Sequence, residues 1–170
     1  KGAQICIGGQ ANMNVRLIDC VGYIVPSALG YIEGDQPRMV MTPWYEEPIP
    51  FNMAAEIGTQ KVITEHSTIG LVVTTDGTIS DIPRYEYEEA EERVVNELRS
   101  INKPFVVLLN TTSPESQSAA ELSLELTHKY SVPVIPVNCA EMDEGLIKDV
   151  LGAILCRFPV KEIGIKLPEW

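Results

Sequence analysis

Asp19-Cys20-Val21-Gly22 directly follows the strand-like run Val15 to Ile18, apolar but for Arg16. A carboxylate leaving a strand, with a glycine three positions later, suits magnesium-triphosphate chemistry. The carboxylate stands near the cation, and the bare glycine lets its backbone N–H approach the γ-phosphate. A side chain at Gly22 would block that approach. Alone, the tetrapeptide describes a simple turn equally well, because Asp and Gly are common turn residues. Two further segments add to it. The apolar run Phe105 to Leu109 passes into Asn110-Thr111-Thr112-Ser113, and Val134 to Val137 passes into Asn138-Cys139-Ala140. Each polar group follows its own strand at the carboxyl edge, where open α/β sheets bind ligands. Three such segments in order point to nucleotide hydrolysis, and the last two stand where a base would be bordered.

Those loops require strands to present them. Ile69 to Val73, Phe105 to Leu109 and Val134 to Val137 are continuously apolar, as strands covered on both faces should be. Helical patterns separate them. Tyr87, Ala90, Val94, Leu98 and Ile101 recur at steps of three and four, with Glu86, Glu88, Glu89, Glu91 and Glu92 mostly on the opposite, solvated side. Ser113-Pro114 reads as an N-cap and first helical position, opening a helix to about Tyr130. Met142, Leu146, Val150, Ile154 and Phe158 mark a last helix, stopped by Pro159. The spacing predicts strands near 14–19, 69–75, 105–110 and 134–138, parallel in one sheet, with 4–7 antiparallel to the first.

Between Val21 and Pro50 lies a proline-rich stretch too long for an ordinary connector. Its Tyr23, Tyr31, Trp44 and Tyr45 argue for order, while Met39, Met41 and Met53 read as gap-filling core or interface residues. His66 and His128 fall near helix ends, where a cation suits the dipole. Asp76-Gly77 reads either as a turn or as a loop facing the site.

Lys plus Arg number 13 against 24 Asp plus Glu, a net charge of −11, which opposes binding to nucleic acid or anionic lipid. Apolar runs fall far short of the ~20 residues that span a bilayer, so no transmembrane segment is expected, and the N-terminus carries no signal-peptide pattern. Cys6, Cys20, Cys139 and Cys156 lie apart without a CxxC pair, which favours a reduced, cytoplasmic protein over a disulfide or metal scaffold.

Beyond these features, Asn14 to Tyr23, Pro37-Arg38-Met39, Thr42-Pro43-Trp44-Tyr45-Glu46-Glu47-Pro48-Ile49-Pro50-Phe51, Glu65 to Gly70 and Thr74 to Ile79 resemble the nucleotide-binding domain of the stage IV sporulation protein A family. The resemblance runs from about residue 13 to the C-terminus. It implies a three-layer α/β, Ras-like P-loop NTPase fold with a mostly parallel sheet and one antiparallel hairpin strand, over residues 1–158, with 159–170 starting a following segment. It further implies an ATPase of the translation-factor-related class, in a cytoskeleton-like protein that assembles around the forespore as the base of the spore coat, ATP hydrolysis driving polymerisation. On that reading the cofactors are ATP and Mg2+. Asp19 holds the metal through water, Gly22 senses the γ-phosphate, and Asn110, Thr111, Ser113, Asn138 and Cys139 border the base. The implied partners are further copies of the chain, a small amphipathic membrane-anchoring peptide and other coat proteins. The implied place is the mother-cell cytosol at the outer surface of the forespore.

The chain departs from a working enzyme in one respect, because no G-x-x-x-x-G-K-[ST] occurs in it. The P-loop, whose amides and lysine hold the β- and γ-phosphates, is missing, so these residues read as a fragment. The rival expectation is a non-catalytic module that keeps the fold as an assembly surface. Guanine-specific hydrolases of this class carry N-K-x-D after the strand that here ends at Asn110. Here Thr111 stands at the lysine position and Ser113 at the aspartate, so the carboxylate that selects guanine is gone and ATP is expected in place of GTP.

Overall fold

The computed structural model describes residues 2–7 and 11–158. Its centre is a three-stranded parallel sheet, β7 (Gly70–Thr75), β8 (Phe105–Asn110) and β9 (Val134–Val137), in that order. Val72 pairs with Val107, and Val107 with Val134. Helices α2 (Glu88–Ser100) and α3 (Gln117–Tyr130) make the crossovers, and α4 (Glu144–Leu155) follows β9. Parallel neighbours need such long connections.

Strand β8 is buried from Phe105 to Leu109 because both of its faces are covered. Val107 and Leu109 pack with Val95, Leu98, Leu126 and Tyr130 of α2 and α3. Val106 and Leu108 pack with Val150, Leu151 and Ile154 of α4, and Ile5, Ile7 and Val15 lean on that second cluster. The last three belong to an antiparallel hairpin of β1 (Ala3–Ile7) and β2 (Ala11–Val15). Gly70 marks a close approach: a Cβ there would lie 3.0 Å from both Leu98 methyl carbons and 3.1 Å from the Phe105 Cβ. Only glycine lets α2 settle this tightly on the strand.

Three of the four expected parallel strands are present, but the expected strand at 14–19 is not among them. The antiparallel partner of 4–7 is Ala11–Val15 and not 14–19: the ladder runs from Ile7 opposite Ala11 to Ala3 opposite Val15. Arg16 to Asp19 leave the ladder, with Leu17 and Ile18 exposed, and the hairpin forms its own two-stranded sheet. On the side away from β8, β7 has no strand partner among the described residues, and Leu71 and Val73 there are exposed.

The stretch 21–50 is ordered around two-residue ladders. Strand β3 (Ile32–Glu33) pairs with β4 (Gln36–Pro37), and β5 (Met39–Val40) with β6 (Ile49–Pro50). Met39, Met41 and Met53 are exposed, so they do not fill the core. Helix α1 (Phe51–Lys61) continues through a π-helical turn (Val62–His66), and the last helix stops at Leu155, before Phe158. Helix α3 starts later than Ser113-Pro114 suggests. Ser113 closes a turn by accepting from the Ser116 N–H, and Ser116 is the cap, its hydroxyl accepting from the Ala119 N–H at 3.2 Å. The expected segment 159–170 lies outside the described residues.

Candidate functional site

The carboxyl ends of β7, β8 and β9 gather three short polar loops into one hydrogen-bonded edge. Asn110 Oδ1 accepts from the Cys139 N–H at 3.0 Å, tying the loop after β8 to the loop after β9. Asn138 Oδ1 accepts from the Ala140 N–H at 3.1 Å, and the Thr111 N–H donates to the Val137 carbonyl. Cys139 is exposed, and partial burial raises its thiol above the ordinary value, so it stays protonated.

On the other side, Thr111 is fully buried and its hydroxyl donates to Asp76 Oδ2 at 2.6 Å. Asp76 Oδ1 accepts from both the hydroxyl (2.7 Å) and the N–H (2.9 Å) of Thr78. Thr78 Oγ1 in turn accepts from the Thr112 N–H, and Thr111 Oγ1 from the Ser113 N–H. Burial pushes the Asp76 carboxyl up, but the hydrogen bonds from Thr111 and Thr78 outweigh it and hold the group below its usual range. An oriented carboxylate therefore sits at the edge. The Asp-Gly pair is explicit in the sequence, but its link to Thr111 crosses 35 positions. Thr111 itself is turned inward, and of the expected base-side residues Ser113 and Cys139 stand exposed while Asn110 and Asn138 are half-buried.

Asp19 and Gly22 make no hydrogen bond to this edge among the described residues. They lie along a groove of about 890 Å³ between residues 13–25 and the open side of β7, with Thr59, Thr74 and Glu91 also on its wall. Asp19 is exposed. Gly22 has φ +80°, a left-handed conformation that glycine adopts without cost, and its N–H donates to Thr59 Oγ1 of α1 at 3.0 Å. No sequence pattern signals Thr59. No group of three or more His, Cys, Asp or Glu is placed to hold a metal among the described residues. One exposed carboxylate fits Mg2+ only where phosphate oxygens and water supply the other ligands, as that ion prefers.

Glu91 corrects another expectation. The residue lies with the acidic run of α2, yet its side chain is 1% exposed. Its Oε1 accepts from Arg84 Nη2 at 2.8 Å and from the Tyr130 hydroxyl at 2.6 Å, while Glu91 Oε2 and Arg84 Nε have no partner. Arg84 also reaches Thr74 Oγ1, near the end of β7. The expected solvated face holds for Glu88, Glu89 and Glu92, which are exposed. His66 and His128 stand exposed at their helix ends, away from the edge network.

Comparison with known proteins adds the family. The chain is 54% identical to stage IV sporulation protein A of Bacillus anthracis over 158 residues, covering 93% of this chain and 32% of that protein. It is 52% identical to the same protein of Clostridioides difficile strain 630 over 169 residues (99% and 34%), and 52% identical to that of Bacillus subtilis strain 168 over 159 residues (94% and 32%). The chain thus spans about a third of the length of these relatives. No solved structure matches it. The family model described as stage IV sporulation protein A, ATPase domain, matches residues 1–159, and the chain belongs to that family.

Proposed function

We propose that this domain binds and hydrolyses ATP with Mg2+ on a Ras-like scaffold. The observation that carries the reading is the convergence of the loops after β7, β8 and β9 on one sheet edge, in a chain whose family is defined by an ATPase domain. Asp19, exposed beside the groove, holds the cation through water, and the cation neutralises developing phosphate charge. The Gly22 N–H turns to the γ-phosphate. Asn110, Asn138 and the exposed Ser113 and Cys139 border the base. Thr111 acts from beneath, holding Asp76 and so the loop after β7. The phosphate-binding loop comes from outside these 170 residues, its strand lying along the open side of β7 where Leu71 and Val73 wait uncovered.

In the longer protein the domain serves a spore-coat scaffold whose hydrolysis drives self-assembly on the forespore surface, with a small amphipathic membrane-anchoring peptide and other coat proteins as partners. A second reading, an assembly module without catalysis, is favoured by the exposed apolar residues Leu29, Met41, Trp44 and Tyr45 on the 21–50 stretch. Hydrolysis and competition binding on a protein of the relatives' full length separate the two. The expected result is Mg2+-dependent ATP hydrolysis, weakened by Asp19→Ala without loss of folding, and no advantage for GTP. A full-length protein that binds no nucleotide refutes the catalytic reading, and one that prefers GTP refutes the choice of ATP.

A further inference from the structure

The N–H that a γ-phosphate would need is already occupied. Gly22 donates it to the hydroxyl of Thr59, which is 2% exposed in the last turn of α1. Helical threonines commonly return their hydroxyl to the carbonyl four residues back, as Thr64 does to Gln60 at 2.8 Å. Thr59 makes no such bond among the described residues, and its oxygen faces the glycine instead. The residue after Gly22 is clamped as well. The Tyr23 ring stacks on the Arg93 guanidinium at 4.1 Å, and its hydroxyl donates to Glu97. Arg93 reaches back to Glu56 of α1 at 3.0 Å, and Val25 is buried. On the other side of the glycine Leu17, Ile18 and Val21 are exposed, and among the described residues a Cβ at Gly22 would meet no atom within 4 Å. Gly22 is therefore the boundary between a pinned segment and an exposed one.

We propose that Thr59 is a latch on this segment. Without nucleotide its hydroxyl holds the Gly22 N–H. A triphosphate competes for that same N–H and must displace Thr59, whereas a diphosphate leaves the latch closed. Thr59 is thus a positioning residue that sets how strongly the domain distinguishes ATP from ADP. The inference rests on the proposed nucleotide site and on the role given there to Gly22.

The test uses a protein of the relatives' full length, with Mg2+ and either ADP or the non-hydrolysable β,γ-imido analogue of ATP. Thr59→Val keeps the buried shape and removes the acceptor, and Thr59→Ser keeps the acceptor. One neutral hydrogen bond corresponds to roughly threefold to tenfold in an equilibrium constant. Thr59→Val is therefore expected to tighten the analogue by about that factor and leave ADP unchanged, and Thr59→Ser to bind both as the parent does. An equal effect on both ligands, or weaker analogue binding, overturns the latch and leaves a purely structural contact. Hydrogen exchange gives a reading that needs no nucleotide. The Gly22 amide should be protected in the nucleotide-free parent and in Thr59→Ser, and a freely exchanging amide in the parent overturns the latch even if Thr59→Val fails to fold. A parent that binds neither ligand refutes the nucleotide site itself, and the latch falls with it.

Discussion

Replacing Glu91 by alanine removes the one carboxylate shared by Arg84 and Tyr130. The side chains of Glu91 and Arg84 are 1% and 17% exposed, so water cannot take over either contact freely. The change strands a guanidinium that is already short of one partner at Nε, together with the hydroxyl of Tyr130, a residue only 3% exposed. Breaking a buried ion pair from one side costs about 3–5 kcal/mol. Against a total stability of roughly 5–15 kcal/mol for an ordinary domain, that is a large fraction. The intact pair is nonetheless imperfect, because Glu91 Oε2 also lacks a partner. Each unmet buried polar atom carries a desolvation cost of about 1–3 kcal/mol. Exchanging both partners for apolar residues should therefore recover most of the loss. Urea denaturation of the full-length protein and of Glu91→Ala, Glu91→Leu, Arg84→Met and Glu91→Leu/Arg84→Met reads this as midpoint shifts at constant slope. The expected pattern is a steep fall for Glu91→Ala and a double variant within about 1–2 kcal/mol of the parent, a coupling that a double-mutant cycle isolates. A Glu91→Ala loss below about 1 kcal/mol would refute the reasoning, since it would mean that water reaches the site or that Arg84 finds another partner.

Three other outcomes follow from single contacts. Asp76 is held below its ordinary pKa of 3.8, so its stabilising bonds are complete above that value and are lost as pH falls through the lower folded value. Acid unfolding of Asp76→Asn should accordingly show a shallower decline below about pH 4 than the parent. Ser116→Ala should cost about 1 kcal/mol by removing the cap of α3, while Ser113→Ala should change thermal stability by no more than a few tenths; equal losses would restore Ser113 as the cap. Gly70→Ala should destabilise by about 1–3 kcal/mol, because its Cβ would meet Leu98 and Phe105 at 3.0–3.1 Å, and a neutral result in denaturant would show that α2 can move away freely.

By its own pattern the sequence determined the three parallel strands: β8 is apolar from Phe105 to Leu109 because both of its faces are covered, and β7 and β9 are read from similar apolar runs, although Leu71 and Val73 of β7 are exposed. It determined helix α2 through its three- and four-residue steps, and the family through a string of motifs long enough to be distinctive. It also identified two of the loops at the carboxyl edge, those after β8 and β9, whereas Asp19 to Gly22 follow no strand of the parallel sheet. What the tertiary structure alone decided are the meetings between distant residues. Glu91 belongs by period to a solvated face, and its burial depends on Arg84 folding back from the preceding loop and on Tyr130 arriving 39 positions later. Thr111 turns inward because Asp76 is there to accept its hydrogen bond, and Gly22 is pinned because α1 presents Thr59. The hairpin register was likewise undecided locally, since Val15, Leu17 and Ile18 continue the apolar pattern and only the fold shows that pairing runs from Ala11 to Val15. Periodicity reports which face of an element is apolar. Which polar groups are satisfied there is settled by the donors and acceptors that other elements carry to it, and that information is spread over the whole chain.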